Sequence, residues 1–231
     1  MTIKVELIDS MGSDSRVVDS ARVSFSKLSE NYTDEQNNKL IRYLAKNGHI
    51  TPFMHPQITV REKVPIFVAR QRFKHTVGFS YNEVSRRYVS DPPEFYVPDV
   101  WRNKPEVSIK QGSGNGEVTS LDKITKGNTS VRFVKGNPKF RYDVFLKTAL
   151  TLYNDMIEAG VAPEQARMVL PQSMMTEYYC TGSLYAFARA YKLRIDFHAQ
   201  KEIQDLAVLW DEVLRPLFPV SWSALVDKLE N

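Results

Sequence analysis

The chain has 231 residues, 42% of them hydrophobic and 25% charged, with a formal net charge of +4. That length allows one large domain or two small ones with a substantial core, and no apolar run reaches membrane-spanning length. The N-terminus lacks a signal-peptide pattern, so we predict a cytoplasmic protein without a membrane partner. The lone cysteine, Cys180, excludes an intrachain disulfide framework and a multi-cysteine zinc site.

The first 64 residues alternate between strand and helix patterns. Residues 4–9 and 57–64 alternate apolar and polar side chains, which predicts two strands with one buried face each. Residues 17–23 between them predict a short helix. A second helix follows the capping signal Thr33-Asp34-Glu35-Gln36, and Asn47 and Gly48 are suited to end it.

The stretch of residues 70–88 concentrates groups that can bind phosphate. It contains five Lys or Arg residues, a histidine, two serines and an asparagine. Residues 65–69 predict the first turns of a helix with Pro65 at its first position, and Gly78 breaks the helical pattern before a polar run. Cations, hydroxyls and amides just past a helix suit a phosphate site. Composition alone favours a solvated basic face instead.

Residues 101–141 differ in character from the rest of the chain. They contain five of the ten glycines, and nine Lys or Arg against three acidic residues. Apolar periodicity is weak, which predicts a long basic loop with room for one hairpin. A solvated loop and a surface for polyanions are the two interpretations of this segment.

The last 90 residues are predominantly helical in pattern. A helix is predicted from residue 141 to Gly160, with an apolar stripe of Val144, Phe145, Ala149, Leu152, Met156 and Ile157. A short helix starts at Pro163 and ends before Pro171, and residues 174–181 favour a strand. Three further helices follow, the second of them strongly amphipathic. We therefore predict an α+β fold in one domain, residues 1–231, with a central, mostly antiparallel sheet flanked by helices.

Four motifs in this order resemble those of the flavin-dependent thymidylate synthases. They are a run from His49 to His55, the segment Asn82-Glu83-x-Ser85-x-Arg87-Tyr88, Ala166-Arg167-x-Val169-Leu170-Pro171, and Leu193-Arg194-x-Asp196-x-His198-Ala199-Gln200. The family's Arg-His-Arg triplet aligns with Lys74-His75-Thr76, with a spacer to Ser85 that is one residue longer. A register with Arg70-Gln71-Arg72 as the triplet would separate its serine from the residues that accompany it, and we reject it.

The resemblance implies reductive methylation of deoxyuridine monophosphate (dUMP) to thymidylate (dTMP). FAD would be the cofactor, with NADPH and methylenetetrahydrofolate as co-substrates. Arg194 would be catalytic, contacting the uracil edge and stabilising its anion. The residues implied for dUMP are Gln71, Lys74, Glu83, Ser85, Arg86, Arg87, Arg167 and Arg194. Those implied for FAD are Thr51, Lys74, His75, Thr76, Asn82, Glu83, Ser183, Tyr185, Arg189 and His198. The sites would form between subunits of a homotetramer.

Three features depart from the family pattern. Lys74 stands where an arginine is usual, which replaces a bidentate fork by a point charge. Thr76 replaces the second arginine, and Ser183 and Arg189 stand where many members have asparagine. Arg189 could restore the charge that Thr76 lacks.

Two other classes of function are open to the sequence. A nucleic-acid-binding protein would use the basic 70–88 and 101–141 stretches, but it has no need of Asn82, Glu83 or the His-Ala-Gln element. A structural oligomerisation module would explain only the amphipathic helices. No metal site is predicted, because His49 and His55 have no acidic partner at a suitable spacing.

Overall fold

The computed structural model describes residues 2–89, 91–105, 112–120 and 137–227. Two compact units are distinguished within the chain. The first, here called the sheet unit, comprises Ile3–Val64, Val68–Glu83 and the chain from Thr176 onward. The second, the helical unit, contains Pro65–Phe67 and Val84–Met175. The one-domain organisation stays a prediction.

Within the described residues, four strands form one sheet in the order β1-β2-β4-β3. They are β1 (Lys4–Met11), β2 (Gln57–Pro65), β3 (Phe79–Glu83) and β4 (Met175–Ser183). The β1–β2 pair is antiparallel with an irregularity between Leu7 and Asp9, and the β3–β4 pair is antiparallel from Phe79↔Gly182 to Glu83↔Tyr178. The predicted α+β class with a mostly antiparallel sheet is confirmed.

Capping residues and apolar periodicity account for the helices of the sheet unit. They are α1 (Asp14–Arg22), α2 (Asp34–Lys46), the end of α3 (Ile66–Arg72), α6 (Leu184–Arg194), α7 (Lys201–Leu217) and α8 (Pro219–Val226). The Thr33 hydroxyl accepts from the Gln36 N–H and the Gln36 side chain accepts from the Thr33 N–H, so the predicted capping box forms. The α7 stripe of Ile203, Leu206, Ala207, Trp210 and Leu214 is buried, as its period requires.

Two predictions around residue 65 are corrected. Pro65 ends β2 instead of beginning a helix, and α3 starts at Ile66. The polar run after Gly78 contains strand β3, which the sequence did not predict. An edge strand pairs on one side only, and most of its side chains are solvated, so its sequence lacks the apolar alternation of β2.

The helical unit contains α4 (Pro138–Glu158) and α5 (Pro163–Ala166), followed by a 3₁₀ turn, Arg167–Val169. Helix α4 begins three residues earlier than predicted, because the Asn137 side chain caps it by accepting from the Lys139 N–H (2.8 Å) and Pro138 takes its first position. In the preceding segment, an antiparallel bridge joins Arg102 and Glu117. The remainder of the predicted loop, residues 106–111 and 121–136, lies outside the described residues.

The predicted apolar stripe of α4 is only partly buried. The buried residues of this helix are Pro138, Leu146, Ala149 and Tyr153. Ala149 belongs to the predicted stripe, whereas its members Val144, Phe145 and Leu152 are each about half exposed. Across the described ranges, no helix is both long and apolar enough to cross a membrane.

Candidate active site

The turn between α3 and β3 carries the residues aligned with the triplet. The His75 N–H donates to the Arg72 carbonyl (3.0 Å), which tightens the chain after the helix ends. Gly78 then adopts a φ of 80°, and a Cβ there would lie 3.0 Å from the Ala186 Cβ, so only glycine fits without strain. Lys74 and Thr76 are exposed on this turn, while His75 is buried. The turn therefore presents one cation outward and holds one imidazole inward.

Arg194, the last residue of α6, contacts the His75 ring and the end of α3. Its Nε donates to His75 Nε2 at 2.8 Å, and its Nη2 donates to the Gln71 carbonyl at 3.3 Å. Burial, and then the charges of Arg194, Arg72 and Arg189, lower the pKa of His75 to about 4. The imidazole is therefore neutral at pH 7. Since Nε2 accepts a hydrogen bond, the proton is assigned to Nδ1.

Burial also lowers the pKa of Arg194 from its usual value, and the nearby Arg72 charge adds to this effect. The guanidinium nevertheless remains protonated near neutral pH, because its usual value is so high. Among the described residues, no hydrogen bond involves Arg194 Nη1. The site therefore contains an oriented, partly desolvated cation whose Nη1 can donate hydrogen bonds to a ligand.

A buried ion pair lies beneath this turn. Glu62 and Arg72 are both fully buried, and Arg72 Nε and Nη2 donate to the Glu62 carboxylate at 3.2–3.3 Å. Tyr178 Oη (2.6 Å) and Trp210 Nε1 (3.0 Å) also donate to that carboxylate. Arg72 Nη1 donates to Tyr81 Oη (2.7 Å), and Tyr81 Oη donates to the His75 carbonyl (2.8 Å). Every charge in this network has hydrogen-bonded partners.

Other predicted site residues of the sheet unit take several positions. Arg189 acts electrostatically on His75, so the two lie in one neighbourhood with Gln71 and Arg194. Glu83 Oε1 accepts from Thr176 Oγ1 (2.6 Å), and the Ser183 hydroxyl accepts from the Ala186 N–H (3.2 Å) to cap α6.

Among the other predicted residues, Thr51, Asn82 and His198 are exposed, and Tyr185 is half-buried. Asn82 is exposed on β3, and His198 Nδ1 lies 2.8 Å from Asp196 Oδ1. Thr51 lines a cavity of about 780 Å³ together with Tyr43 and His49. Tyr185 lines a smaller cavity of about 280 Å³.

The helical unit holds the remaining predicted residues. The Ser85 hydroxyl accepts from the Arg87 N–H (3.4 Å) and Nε (3.3 Å), and Arg86 Nη1 donates to the Asp91 carbonyl. Arg86 and Arg87 line a cavity of about 300 Å³ with Tyr88 and Tyr153. Arg167 is exposed on its 3₁₀ turn, and its Nε donates to the Glu164 carbonyl (3.3 Å). In the part of the chain that the structure describes, neither Arg87 nor Arg167 pairs with a carboxylate.

Comparison with known proteins identifies the family. Residues 6–220 match the profile of the family described as thymidylate synthase complementing protein. The flavin-dependent thymidylate synthase of Thermosipho africanus is 36% identical over 222 residues, which are 96% of this chain and 90% of that protein. The chain belongs to this family. The predicted relationship to flavin-dependent thymidylate synthases is confirmed.

Other relatives agree with this assignment. The flavin-dependent thymidylate synthase of Thermus thermophilus is 35% identical over 97% of this chain and 76% of its own length. Among solved structures, the UMP/dUMP methylase PolB from Streptomyces cacaoi, bound with 5-Br dUMP, has a TM-score of 0.76 and 30% identity. That likeness covers 96% of this chain and 93% of the methylase.

Sequence reasoning missed the ion pair beneath the site of this family member. One signal was present: Ile58, Val60, Glu62 and Val64 alternate on a single face of β2, and that face is buried. A carboxylate at such a position requires a buried partner. The identity of that partner, Arg72, could not be derived, because it lies on the next helix among other basic residues.

The lowered pKa of His75 predicts how the free energy of unfolding depends on pH. Between about 4 and the ordinary value of 6.5, the unfolded chain binds more protons than the folded chain. We therefore expect the free energy of unfolding to fall as the pH is lowered through this window. Denaturant unfolding at a series of pH values should show a weaker dependence in His75→Gln, while His55→Gln, at an exposed position, should behave as wild type. Identical pH dependence in His75→Gln and wild type would contradict the assignment.

Proposed function

We propose that this chain methylates dUMP at C5 to give dTMP, with FAD as cofactor and with NADPH and methylenetetrahydrofolate as co-substrates. The observation that carries the proposal is the geometry of Arg194. A neutral imidazole and a backbone carbonyl fix its Nε and Nη2, which leaves Nη1 to meet a substrate. Membership of the thymidylate synthase complementing protein family supports the choice of reaction.

Arg194 has the properties that activation of uracil requires. Loss of the N3 proton places negative charge on the ring and makes C5 nucleophilic. A fixed cation in a partly desolvated position stabilises that charge without reorganising. The neutral state of His75 suits this role, since a protonated ring could not accept from Arg194 and would repel it. Arg194 is thus proposed as the catalytic residue, and Gln71 as a dUMP residue beside it.

The donor set of the turn fits an anionic dinucleotide. Lys74 is an exposed cation, Thr76 offers an exposed hydroxyl, and Arg189 adds a charge close to His75. These groups suit flavin phosphates, and Arg189 makes up for the arginine that Thr76 replaces. Asn82, Glu83, Thr51 and His198 are proposed to complete the FAD site, and bound flavin would supply the hydride for the methyl group. The remaining FAD residues that we propose are Ser183 and Tyr185.

The dUMP phosphate requires cations that are not already neutralised. Arg87 and Arg167 satisfy this condition among the described residues, and Lys74 is exposed. Ser85, Arg86 and Glu83 complete the proposed nucleotide residues. We propose a homotetramer in which residues of neighbouring subunits complete each site.

The direct test is incubation of purified, flavin-loaded protein with dUMP, NADPH and methylenetetrahydrofolate. We expect dTMP by chromatography, and no dTMP when flavin has been removed. Absence of dTMP from a folded, flavin-loaded preparation would refute the proposed reaction. No thiol nucleophile is needed, and burial raises the pKa of the Cys180 thiol, which leaves it unreactive.

Lys74 provides a test of the triplet alignment. If its ammonium binds phosphate oxygens, Lys74→Ala should weaken binding of FAD or dUMP by about tenfold, and more at low salt, because such contacts are screened by ions. Lys74→Arg should retain binding, and Thr76→Arg should tighten FAD binding. Titration of each ligand at two salt concentrations measures this, with exposed Lys46→Ala as the control. Unchanged binding in Lys74→Ala would show that the triplet is misaligned.

A further inference from the structure

The buried Glu62–Arg72 pair has more hydrogen-bond and aromatic partners than charge neutrality requires. The carboxylate accepts from Arg72, Tyr178 and Trp210, which belong to α3, β4 and α7. The guanidinium is enclosed by the rings of Phe79 and Trp210, with its Cζ 4.3 and 4.5 Å from their centroids. Its position is thus fixed on several sides, and the position of the α3 C-terminus is fixed with it.

The connection from this pair to Arg194 is short. Arg72 Nη1 donates to Tyr81 Oη, which donates to the carbonyl of His75. The ring of His75 accepts from Arg194 Nε, and the carbonyl of Gln71, the neighbour of Arg72, accepts from Arg194 Nη2. Both groups that orient Arg194 therefore lie at the C-terminal end of α3 and in the turn after it, which the ion pair holds.

Stability alone does not account for such a pair. Burying two charges costs several kcal/mol in desolvation, and an apolar pair of the same size is often as stable or more so. What a fully bonded pair does provide is one defined geometry, since each displacement breaks several hydrogen bonds in a medium of low dielectric constant. A site that must orient a cation benefits from that property.

We propose that Glu62 and Arg72 are positioning residues, which hold the α3–β3 turn so that His75 and Gln71 aim the Arg194 guanidinium at the substrate. This inference rests on the proposed function, in which Arg194 is catalytic. It adds two residues that touch no substrate, and it assigns Tyr81 as the link between them and His75.

The test compares Glu62→Gln/Arg72→Met with wild type. The double substitution removes both charges; the glutamine Oε1 can still accept from Trp210 Nε1, and its side-chain NH2 can donate to Tyr178 Oη. We expect a folded, flavin-binding protein whose kcat falls about 10- to 100-fold while KM for dUMP changes little, because a displaced catalytic group slows turnover more than binding.

A second readout separates positioning from general support of the fold. The charges that act on His75 are those of Arg194, Arg72 and Arg189. Removal of the Arg72 charge should raise the pKa of His75 from about 4 toward 6.5, as measured by NMR titration of the four histidines without substrate. The matched control is Arg61→Met/Glu177→Gln, which removes a partly exposed pair between β2 and β4 (Nε–Oε1 2.7 Å) and should leave kcat and the pKa of His75 unchanged.

The outcomes are distinguishable. Absence of dTMP with the wild-type protein refutes the proposed function, whereas an active wild type with an equally active double variant refutes the positioning role. An unchanged pKa of His75 in the double variant also refutes it, whatever the activity. If the double variant does not fold, Tyr81→Phe keeps the ion pair and removes the link to His75. It should lower kcat in the same way, and wild-type kcat in this variant would overturn the proposal.

Discussion

Arg194→Ala is expected to abolish dTMP formation, with kcat at least about 100-fold below wild type, while the fold and flavin binding persist. The loss corresponds to removal of one fixed donor to a developing negative charge, about 3 kcal/mol at the transition state. Arg194→Lys should recover little, because arginine donates to His75 Nε2 and the Gln71 carbonyl from two separate nitrogens and presents a third, whereas lysine has a single nitrogen. Steady-state kinetics of these variants measures the effect.

The control for this prediction is Lys192→Ala. Lys192 lies on the same helix, carries the same charge and is exposed. Its removal should leave kcat near the wild-type value. Near-normal turnover in Arg194→Ala would exclude Arg194 from the chemistry, whatever the result for Lys192.

Arg72→Met alone is expected to lower the free energy of unfolding by about 3–5 kcal/mol, because it leaves the Glu62 carboxylate buried without its counterion. Most of that loss should be recovered in Glu62→Gln/Arg72→Met, where no charge is buried. Denaturant unfolding of wild type, both single variants and the double variant gives the coupling free energy between the two residues.

An exposed pair provides the comparison for this stability prediction. Arg61 and Glu177 are partly solvated, and the pair should contribute less than about 1 kcal/mol. Arg61→Met should therefore change stability little. A loss in Arg72→Met no larger than that in Arg61→Met would contradict the view that Glu62 and Arg72 are tightly coupled.

Local chemistry made much of the fold predictable. The capping box at Thr33 and the apolar period of α7 are properties of neighbouring residues, and both appear in the structure as predicted. Strand β3 and the exposed face of α4 were not predictable in this way. The former depends on a partner strand about 100 residues away, and the latter on which surfaces remain uncovered.

In the candidate site too, some residues could be predicted from the sequence, but their contacts could not. The motif order indicated the family and named Gln71, His75 and Arg194, and the structure brings these three together. Neither the contact between His75 and Arg194 nor the support beneath it can be derived from spacing, because β2, α3, β4 and α7 all contribute. A charged residue on the buried face of β2 was the one local sign of that support.

The most direct test of the central claim is release of tritium from dUMP labelled at C5, with FAD, NADPH and methylenetetrahydrofolate present. Methylation at C5 must displace that hydrogen, so the wild-type protein should release tritium in proportion to dTMP formed, and Arg194→Ala should release almost none. A folded, flavin-loaded wild-type protein that releases no tritium, or an Arg194→Ala protein that releases it at the wild-type rate, would contradict the account.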